Sequence, residues 1–520
     1  MSANAAATGT AHPVVVTEPL GGSGLAQLGI ERRAPPGWFE TPPDNLAEWW
    51  GRVVRIGANN AADRSIAALG GAIRATGAAA ENLERVRRNN GVFVTTGQQP
   101  GLFGGPVYTW SKALSALALA EEIEHSTGVP AAAVFWAATD DADAAEASST
   151  VVALPGGAER LTAQITAPAG TPMHDAPLGD VSGLLARLGA AAGAGAYAAA
   201  LDLVRAAYHP GATVGGAFVE LLAGVLNPLG IAVLDAGAAA VRAAAAPITL
   251  AAAGRAADVA RALGVRGAAI RAAGLTPQVS EIDDLALVFE RRDGIKSRLA
   301  VGATRRPDPG QLSPNVLLRP VVERAILPTV AYVAGPGELA YFAQVSAVAA
   351  ALGAEQPLAV PRWSCTIIEP RIARILERLE LDRIDLADPA APERRLAQRA
   401  LPPGAQALVA QAREQAGTLG AALRAFAAAD TLLQDRVAEG HAQRAAWLAD
   451  RLERRILAAV KRRETESMYA LATARGSLWP LGTRQERALN FIPLLARYGP
   501  SLLDSMRSAA AEHARRLVGG

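Results

Sequence analysis

The feature that most constrains this chain is a strand, loop, helix, strand succession in its first third. Val92, Phe93 and Val94 form a short β-branched and aromatic run ending in Thr95-Thr96-Gly97, which reads as a buried strand entering a loop. Tyr108 to His125 then carries apolar residues at helical period, Pro130 follows, and a second apolar run from Ala131 to Trp136 ends in Thr139-Asp140-Asp141. A βαβ unit is the economical reading, and it commits the chain to an α/β fold with a largely parallel sheet. Ligand groups in such sheets gather at the carboxyl ends of the strands, so the Gly97 loop and the Asp140 cluster are expected on one rim.

The chain is longer than one core. Its 520 residues exceed the roughly 250 to 300 at which hydrophobic cores stop growing. Residues 1–91 are expected to be a loose lead-in to about Pro35, then two or three helices packing on the core. Their apolar stripes hold Trp49, Trp50, Val53, Ile56, Ile66, Leu69 and Ile73. Residues 92–370 form the α/β core, with an insertion of hairpins and alanine-rich helices at about 151–301. Further strand candidates are Gly230–Asp235, Gln278–Ser280, Ala286–Phe289, Arg298–Val301 and Leu358–Pro361. Past Glu369 the character shifts: Arg371–Leu379 is amphipathic and Pro389–Pro403 is a broken connector. Ala405–Ala472 lacks proline and repeats its apolar residues near every 3.5 positions. Leu408, Ala412, Leu419, Leu423 and Phe426 line one segment, and Leu433, Val437, Leu448, Leu452, Ile456 and Val460 the next, with Asp430 as its cap. The expectation is a long antiparallel helical arm over 371–475, with 476–520 returning to the core.

Composition removes several function classes. Lys plus Arg number 51 against 49 Asp plus Glu, so a net charge of +2 gives no reason to expect nucleic acid or a membrane surface as partner. The single cysteine, Cys365, forms no internal disulfide and fits a reducing cytoplasm; a lone thiol in an apolar segment is ordinarily a small buried hydrophobe. His12, His125, His174, His209, His441 and His513 show no zinc spacing, and no nucleophile elbow points to a serine hydrolase. Met1–Pro19 shows no signal peptide, and no stretch reads as a membrane span.

Four segments carry the chemistry. In the first, Gly97, Gln98, Gln99, Gly101, Gly104, Gly105 and Tyr108 lead into a helix bearing Lys112. Bare backbone and a helix start suit an anion, and the competing reading is a tight structural turn. In the second, Asp140, Asp141 and Asp143 follow a strand, where carboxylates can hold an amine, a sugar hydroxyl or Mg²⁺ beside phosphates, or can simply cap a helix. The third runs from Asn315 to Arg319 and on to Gly335-Pro336-Gly337-Glu338, with Tyr341 and Gln344. The fourth is Pro361-Arg362-Trp363-Ser364, whose arginine suits a bidentate grip on a carboxylate or phosphate.

In wording and order these segments resemble the bacillithiol-biosynthesis cysteine-adding enzyme (BshC) family. Thr96 to Lys112 is similar to its TGQQ-x-GL-x-x-GP-x-YT stretch, and Phe135-Trp136 with the acids resembles its FW strand and acidic cluster. Asn315 to Pro320, Leu327 to Gln344, and Pro361-Arg362 with Ser364 match later segments. Gln485-Glu486-Arg487 with Leu489-Asn490 and Tyr498-Gly499 resembles its QER-x-LN and YG ending. The resemblance implies a Rossmann-like core, a coiled-coil arm used in dimerisation, and ATP-dependent joining of the cysteine carboxylate to the amine of glucosaminyl malate. It places Asp140, Asp141 and Asp143 as catalytic, the Gly97 to Lys112 segment on the nucleotide, and Arg319, Gly335, Glu338, Tyr341, Gln344, Arg362 and Ser364 on substrate. Arg487 and Asn490 fall to a C-terminal nucleotide crevice.

One departure stands out. The family cluster reads E-D-H-D with a downstream N-H pair, whereas this chain has Ala142 and Ser149 in place of the two histidines. Two further readings follow: an ATP-using amide ligase for another amine, or a non-catalytic scaffold acting through the arm.

Overall fold

The computed structural model describes residues 12–280, 284–302 and 307–519. The first eleven residues of the expected lead-in lie outside the described residues. Two compact units emerge: a core of Thr10–Val152, Arg160–Ile368 and Gln485–Gly520, and a helical unit built mainly from Glu369–Arg484.

In chain order the strands are β1 (Val14–Thr17), β2 (Ile73–Arg74), β3 (Val92–Gln98), β4 (Ala131–Ala137), β5 (Ser149–Leu154), β6 (Gly157–Thr162) and β7 (Ile231–Asp235). There follow β8 (Leu285–Arg292), β9 (Ile295–Ala300), β10 (Leu312–Pro314), β11 (Thr329–Ala334), β12 (Ala359–Pro361) and β13 (Cys365–Ile368). Six of them form the central sheet in the order β12-β11-β3-β4-β7-β2. All neighbours run parallel except β2, which pairs antiparallel with β7. β4, β7 and β11 are buried along their whole length, as strands covered on both faces must be, and this is why they read as unbroken apolar runs. The helices Val107–Thr127 and Pro336–Leu352, largely buried, follow β3 and β11.

From β3 the chain winds one way to β4 and β7, then crosses back to β11 and β12 on the other side. The order therefore reverses between β3 and β11, and the crevice at the carboxyl ends of those strands is the expected ligand position of such a sheet. A second, antiparallel sheet of β10-β8-β9 stands over that crevice, and β1 pairs with β13 in a separate ladder.

Several local expectations change. The lead-in contains β1 and the helix Gly24–Ile30. Ile73 belongs to a two-residue strand, too short to show a period, and Trp50 is exposed while Trp49 is fully buried. β7, at the expected Gly230–Asp235 strand, joins the 151–301 insertion to the main sheet. Gln278–Ser280 is not a strand, because the side-chain amide of Gln344 takes both backbone groups of Val279 that a ladder would use, at 3.0 and 2.8 Å. β11 has no counterpart among the strand candidates.

In the helical unit, Pro403–Ala429 and Asp435–Arg463 pack antiparallel, and Thr465–Leu478 follows as a separate helix after Glu464. The connector expected at 389–403 contains the helix Ala391–Arg399. Asp430 ends the first long helix rather than capping the second, whose cap is Gln434. The seam uses small residues, Ala416 and Gly420 against Ala438, Ala442 and Ala449. Ala442 Cβ lies only 3.2 Å from where a Gly420 Cβ would stand. The leucine stripe does not fill the seam: Leu408, Leu419, Phe426 and Leu448 are each about half exposed. Among the described residues no helix is long and apolar enough to cross a membrane.

Candidate active site

A cavity of about 990 Å³ opens at the reversal point of the sheet. β3 supplies Gly97, Gln98 and the following Gln99; the start of the Pro336–Leu352 helix supplies Gly335, Gly337 and Glu338; the turn after β4 supplies Asp140, Asp141 and Ala142. Arg319, Tyr341, Gln344, Arg362 and Arg487 add polar groups, β8 gives an apolar wall that includes Leu287 and Phe289, and β9 brings Lys296 and Arg298 to the lining. Because β3 and β4 lie in register, Gly97 beside Trp136 and Gln98 beside Ala137, the glycine segment and the acidic turn leave the sheet at the same rim. Gln99 ties them together by donating from Nε2 to Asp141.

The floor of this cavity is a buried charge network. Lys112 donates to Gly97 O (2.8 Å) and Gln98 Oε1 (3.0 Å), and its ammonium lies 2.6 Å from Glu338 Oε2. Glu338 also accepts from Tyr332 (2.5 Å) and from the Gly335 amide (2.7 Å), and Arg319 donates to Tyr341 (2.9 Å) and Tyr332 (3.3 Å). Burial pulls Lys112 below the ordinary lysine range despite Glu338. Burial pushes Glu338 upward, but Lys112 and Arg319 outweigh it and hold the carboxylate low. Beneath Arg319, Glu323 is buried and pushed up to about 7, mainly by desolvation.

On the acidic rim the three aspartates part company. Asp140 and Asp141 line the cavity; Asp143 is exposed and caps the short helix Ala144–Ala147 by accepting from the Glu146 amide at 3.0 Å. Burial raises the Asp140 carboxyl, and Lys296 is the nearest opposing cation, at 3.5 Å. Behind the turn, Thr139 donates to Asp235, the His174 ring meets the same carboxylate at 3.1 Å, and the His174 amide bonds Thr139 O at 2.8 Å. Asp235 raises His174 above the usual histidine range.

Other expected site residues turn out to be spent on holding the protein, whether or not they reach the cavity. Gly101, Gly104 and Gly105 do not line it. Gly104 takes φ +82°, and a Cβ there would stand 2.7 Å from Trp110 Cζ2. Tyr208 bridges Gly101 O and the Gly104 amide, each at 3.2 Å. The amide of Val107 is taken by Leu489 O at 3.0 Å, so the helix start after this loop is not open to an anion in the way the glycines suggest. Asn490 is fully buried and spends its amide on Leu102 O, Phe103 O and Thr150, a clamp rather than a crevice wall. Arg362 does make a bidentate grip, but on Glu486, at 2.8 and 2.9 Å, and Ser364 donates to the same carboxylate at 2.9 Å. Tyr108, by contrast, lines the cavity and accepts from Gln98 at 3.0 Å. Arg487 also reaches it and is exposed.

Lys296, Tyr332, Glu323, Glu486 and the His174–Asp235 pair lie outside the expected site residues. Among the described residues no group of three or more His, Cys, Asp or Glu side chains is placed to hold a metal ion. Cys365 is buried, and desolvation pushes its thiol up, so it is no nucleophile.

Two family models match the chain. Residues 60–363 match the bacillithiol biosynthesis BshC N-terminal Rossmann-like domain, and residues 365–516 match the BshC C-terminal coiled-coil domain. Similar curated proteins carry the name "Putative cysteine ligase BshC". That of Koribacter versatilis is 35% identical over 82% of this chain and 84% of its own length. That of Solibacter usitatus is 32% identical over 91% and 94%, and that of Salinibacter ruber 30% over 82% of each. With its Rossmann-like and coiled-coil parts both matched, the chain belongs to the bacillithiol biosynthesis BshC family.

Proposed function

We propose that the chain is an ATP-dependent ligase that joins the carboxylate of cysteine to the amine of glucosaminyl malate. The observation that carries this reading is the cavity at the sheet's reversal point, whose lining holds both cationic and acidic groups. Arg319, Arg487 and the start of the Pro336–Leu352 helix form the side suited to phosphate and carboxylate oxygens. Asp140 and Asp141 form the side suited to an ammonium group and its departing proton.

In this reading the cysteine carboxylate oxygen attacks a phosphorus of ATP and displaces ADP or pyrophosphate; the sugar amine then attacks the activated carbonyl, gives up a proton to the acidic rim, and phosphate or AMP, respectively, leaves with that oxygen. The protein's contribution is orientation and a preorganised electrostatic field in a partly dry cleft. Mg²⁺ ordinarily takes one or two carboxylates plus phosphate oxygens, and Asp141 fits that part better than Asp140, which faces Lys296. The ion would neutralise phosphate charge. The half-exposed leucine stripe of the helical unit supports self-association of that unit, with a second copy covering it.

A second reading rests on one residue. Ala142 lines the cavity where the family pattern has histidine, which favours a ligase of altered amine preference. The test for both is mass-spectrometric detection of the condensation product when the purified chain meets ATP, cysteine and glucosaminyl malate. Ala142→His is expected to raise the rate if an imidazole is what the rim lacks, since positioned acid/base groups contribute about 10²- to 10⁴-fold. Binding of neither ATP nor cysteine would overturn the ligase reading in favour of a scaffold.

A further inference from the structure

The chain holds 51 basic Lys and Arg residues, and only three of these are lysines: Lys112, Lys296 and Lys461. Two of the three line the cavity. Lys112 is fully engaged by the floor network. Lys296 comes from elsewhere, on β9 of the second sheet, and its side chain is 8% exposed. Its ammonium donates to Asp140 O at 2.5 Å, stands 3.5 Å from Asp140 Oδ2, and lies over the Phe289 ring at 4.8 Å from the centroid. Its own backbone is pinned, since the Lys296 amide bonds Gly170 O at 2.9 Å.

We propose that Lys296 is the positioning residue that keeps the Asp140 carboxylate charged and directed into the cavity. The proposal rests on the ligase reading for its consequence in catalysis, but not for the contact itself. A buried carboxylate without a counter-charge takes up a proton, and a neutral acid can neither hold an ammonium group nor accept its proton. Gln99 is committed to Asp141, and Arg319 to Tyr332, Tyr341 and Glu338. Arg242, on the helix Ala239–Gly254, gives its guanidinium to Gly237 O and Gly310 O. Asp141, next in the chain, repels the Asp140 charge. Lys296 is thus the one cation with both an ion pair to the Asp140 carboxylate and a hydrogen bond to the Asp140 backbone among the described residues. A compact ammonium also suits this place better than a guanidinium, because one small donor must meet the carbonyl while sitting on the aromatic face.

The test is the pH profile of kcat/KM for Lys296→Gln and Lys296→Arg against the wild type. Loss of the charge is expected to move the acid limb up by about one to three pH units, the usual effect of removing a counter-ion at this range. Lys296→Arg should return the limb toward its wild-type position with a lower plateau. A merely structural lysine would lower the plateau and leave the limb in place, and that result overturns the proposal. Melting temperatures of Lys296→Gln, Asp140→Asn and the double variant provide a readout without turnover. The loss caused by Lys296→Gln should shrink markedly when residue 140 is already asparagine; strictly additive losses would also overturn it. If the wild type ligates nothing while the melting cycle shows coupling, the ligase reading fails and the Lys296–Asp140 assignment stands.

Discussion

Two glycine-rich turns of the core look alike in sequence and serve different ends. Gly101 to Gly105 folds back under Tyr208 and Asn490, with Gly104 against Trp110, so its bare backbone makes room for the protein itself. Gly335-Pro336-Gly337 opens the helix that faces the cavity, and a Cβ at Gly337 would meet nothing within 4 Å. The same division separates two arginines that both reach the cavity. Arg362 is locked on Glu486, while Arg487 is exposed at the lining. A glycine or an arginine in a motif therefore announces a close approach or a charge, and only its neighbours decide whether the partner is protein or ligand.

The sharpest way to break this division is Arg362→Ala. It strands Glu486 in a buried site, and breaking such a pair from one side costs about 3 to 5 kcal/mol. Denaturant midpoints should fall accordingly; an unaltered midpoint with lost cysteine binding would move Arg362 into the ligand-holding group. Gly104→Val comes next. A β-branched side chain at φ +82° and 2.7 Å from Trp110 combines backbone strain with overpacking, together about 3 kcal/mol or more. Its effect is expected in the unfolding curve first, and a stable variant that no longer binds ATP would show that the loop does face a ligand.

How far the sequence shows this division depends on what kind of contact is involved. The βαβ unit from Val92 to Asp141 is legible because strands covered on both faces must be apolar throughout, and the rim that joins Gly97 to Asp140 follows from topology alone. β2 is too short for any period to appear, and the false strand at Gln278–Ser280 reflects a side chain, Gln344, replacing a ladder partner. Buried charge pairs are less legible still. Glu486 lies 124 positions from Arg362, so the residue types are visible but the pairing is not. Yet one signal was available: in a chain that uses arginine almost everywhere, Lys112 and Lys296 are exceptions, and both line the cavity.

Arg487→Ala sharpens the comparison from the ligand side. An exposed side chain away from packing changes stability by about 0.5 kcal/mol or less, whereas a charged hydrogen bond to a bound anion contributes about 1.5 to 3 kcal/mol. The expected outcome is an unchanged unfolding midpoint with affinity for ATP or cysteine reduced roughly ten- to hundredfold, measured by calorimetry. A variant that binds both as the wild type does would leave the cationic wall to Arg319 and the helix start.

Gly337→Ala is the smallest perturbation and the most discriminating. The position opens into free space and has no positive φ, so alanine brings no clash, and reduced freedom of the unfolded chain should stabilise the fold by about 0.4 to 1 kcal/mol. The added methyl nevertheless stands at the first turn of the Pro336–Leu352 helix, on the cavity wall, where phosphate or carboxylate oxygens would approach the amides. Affinity for the anionic ligand should therefore drop about tenfold, some 1.4 kcal/mol, while the melting temperature holds or rises. Stability and binding moving in opposite directions is the signature of a glycine kept for a ligand, in contrast to Gly104, where both should fall together. If Gly337→Ala leaves ATP and cysteine binding unchanged, the helix start is not the anion site, and the two glycine turns differ only in which part of the protein they accommodate.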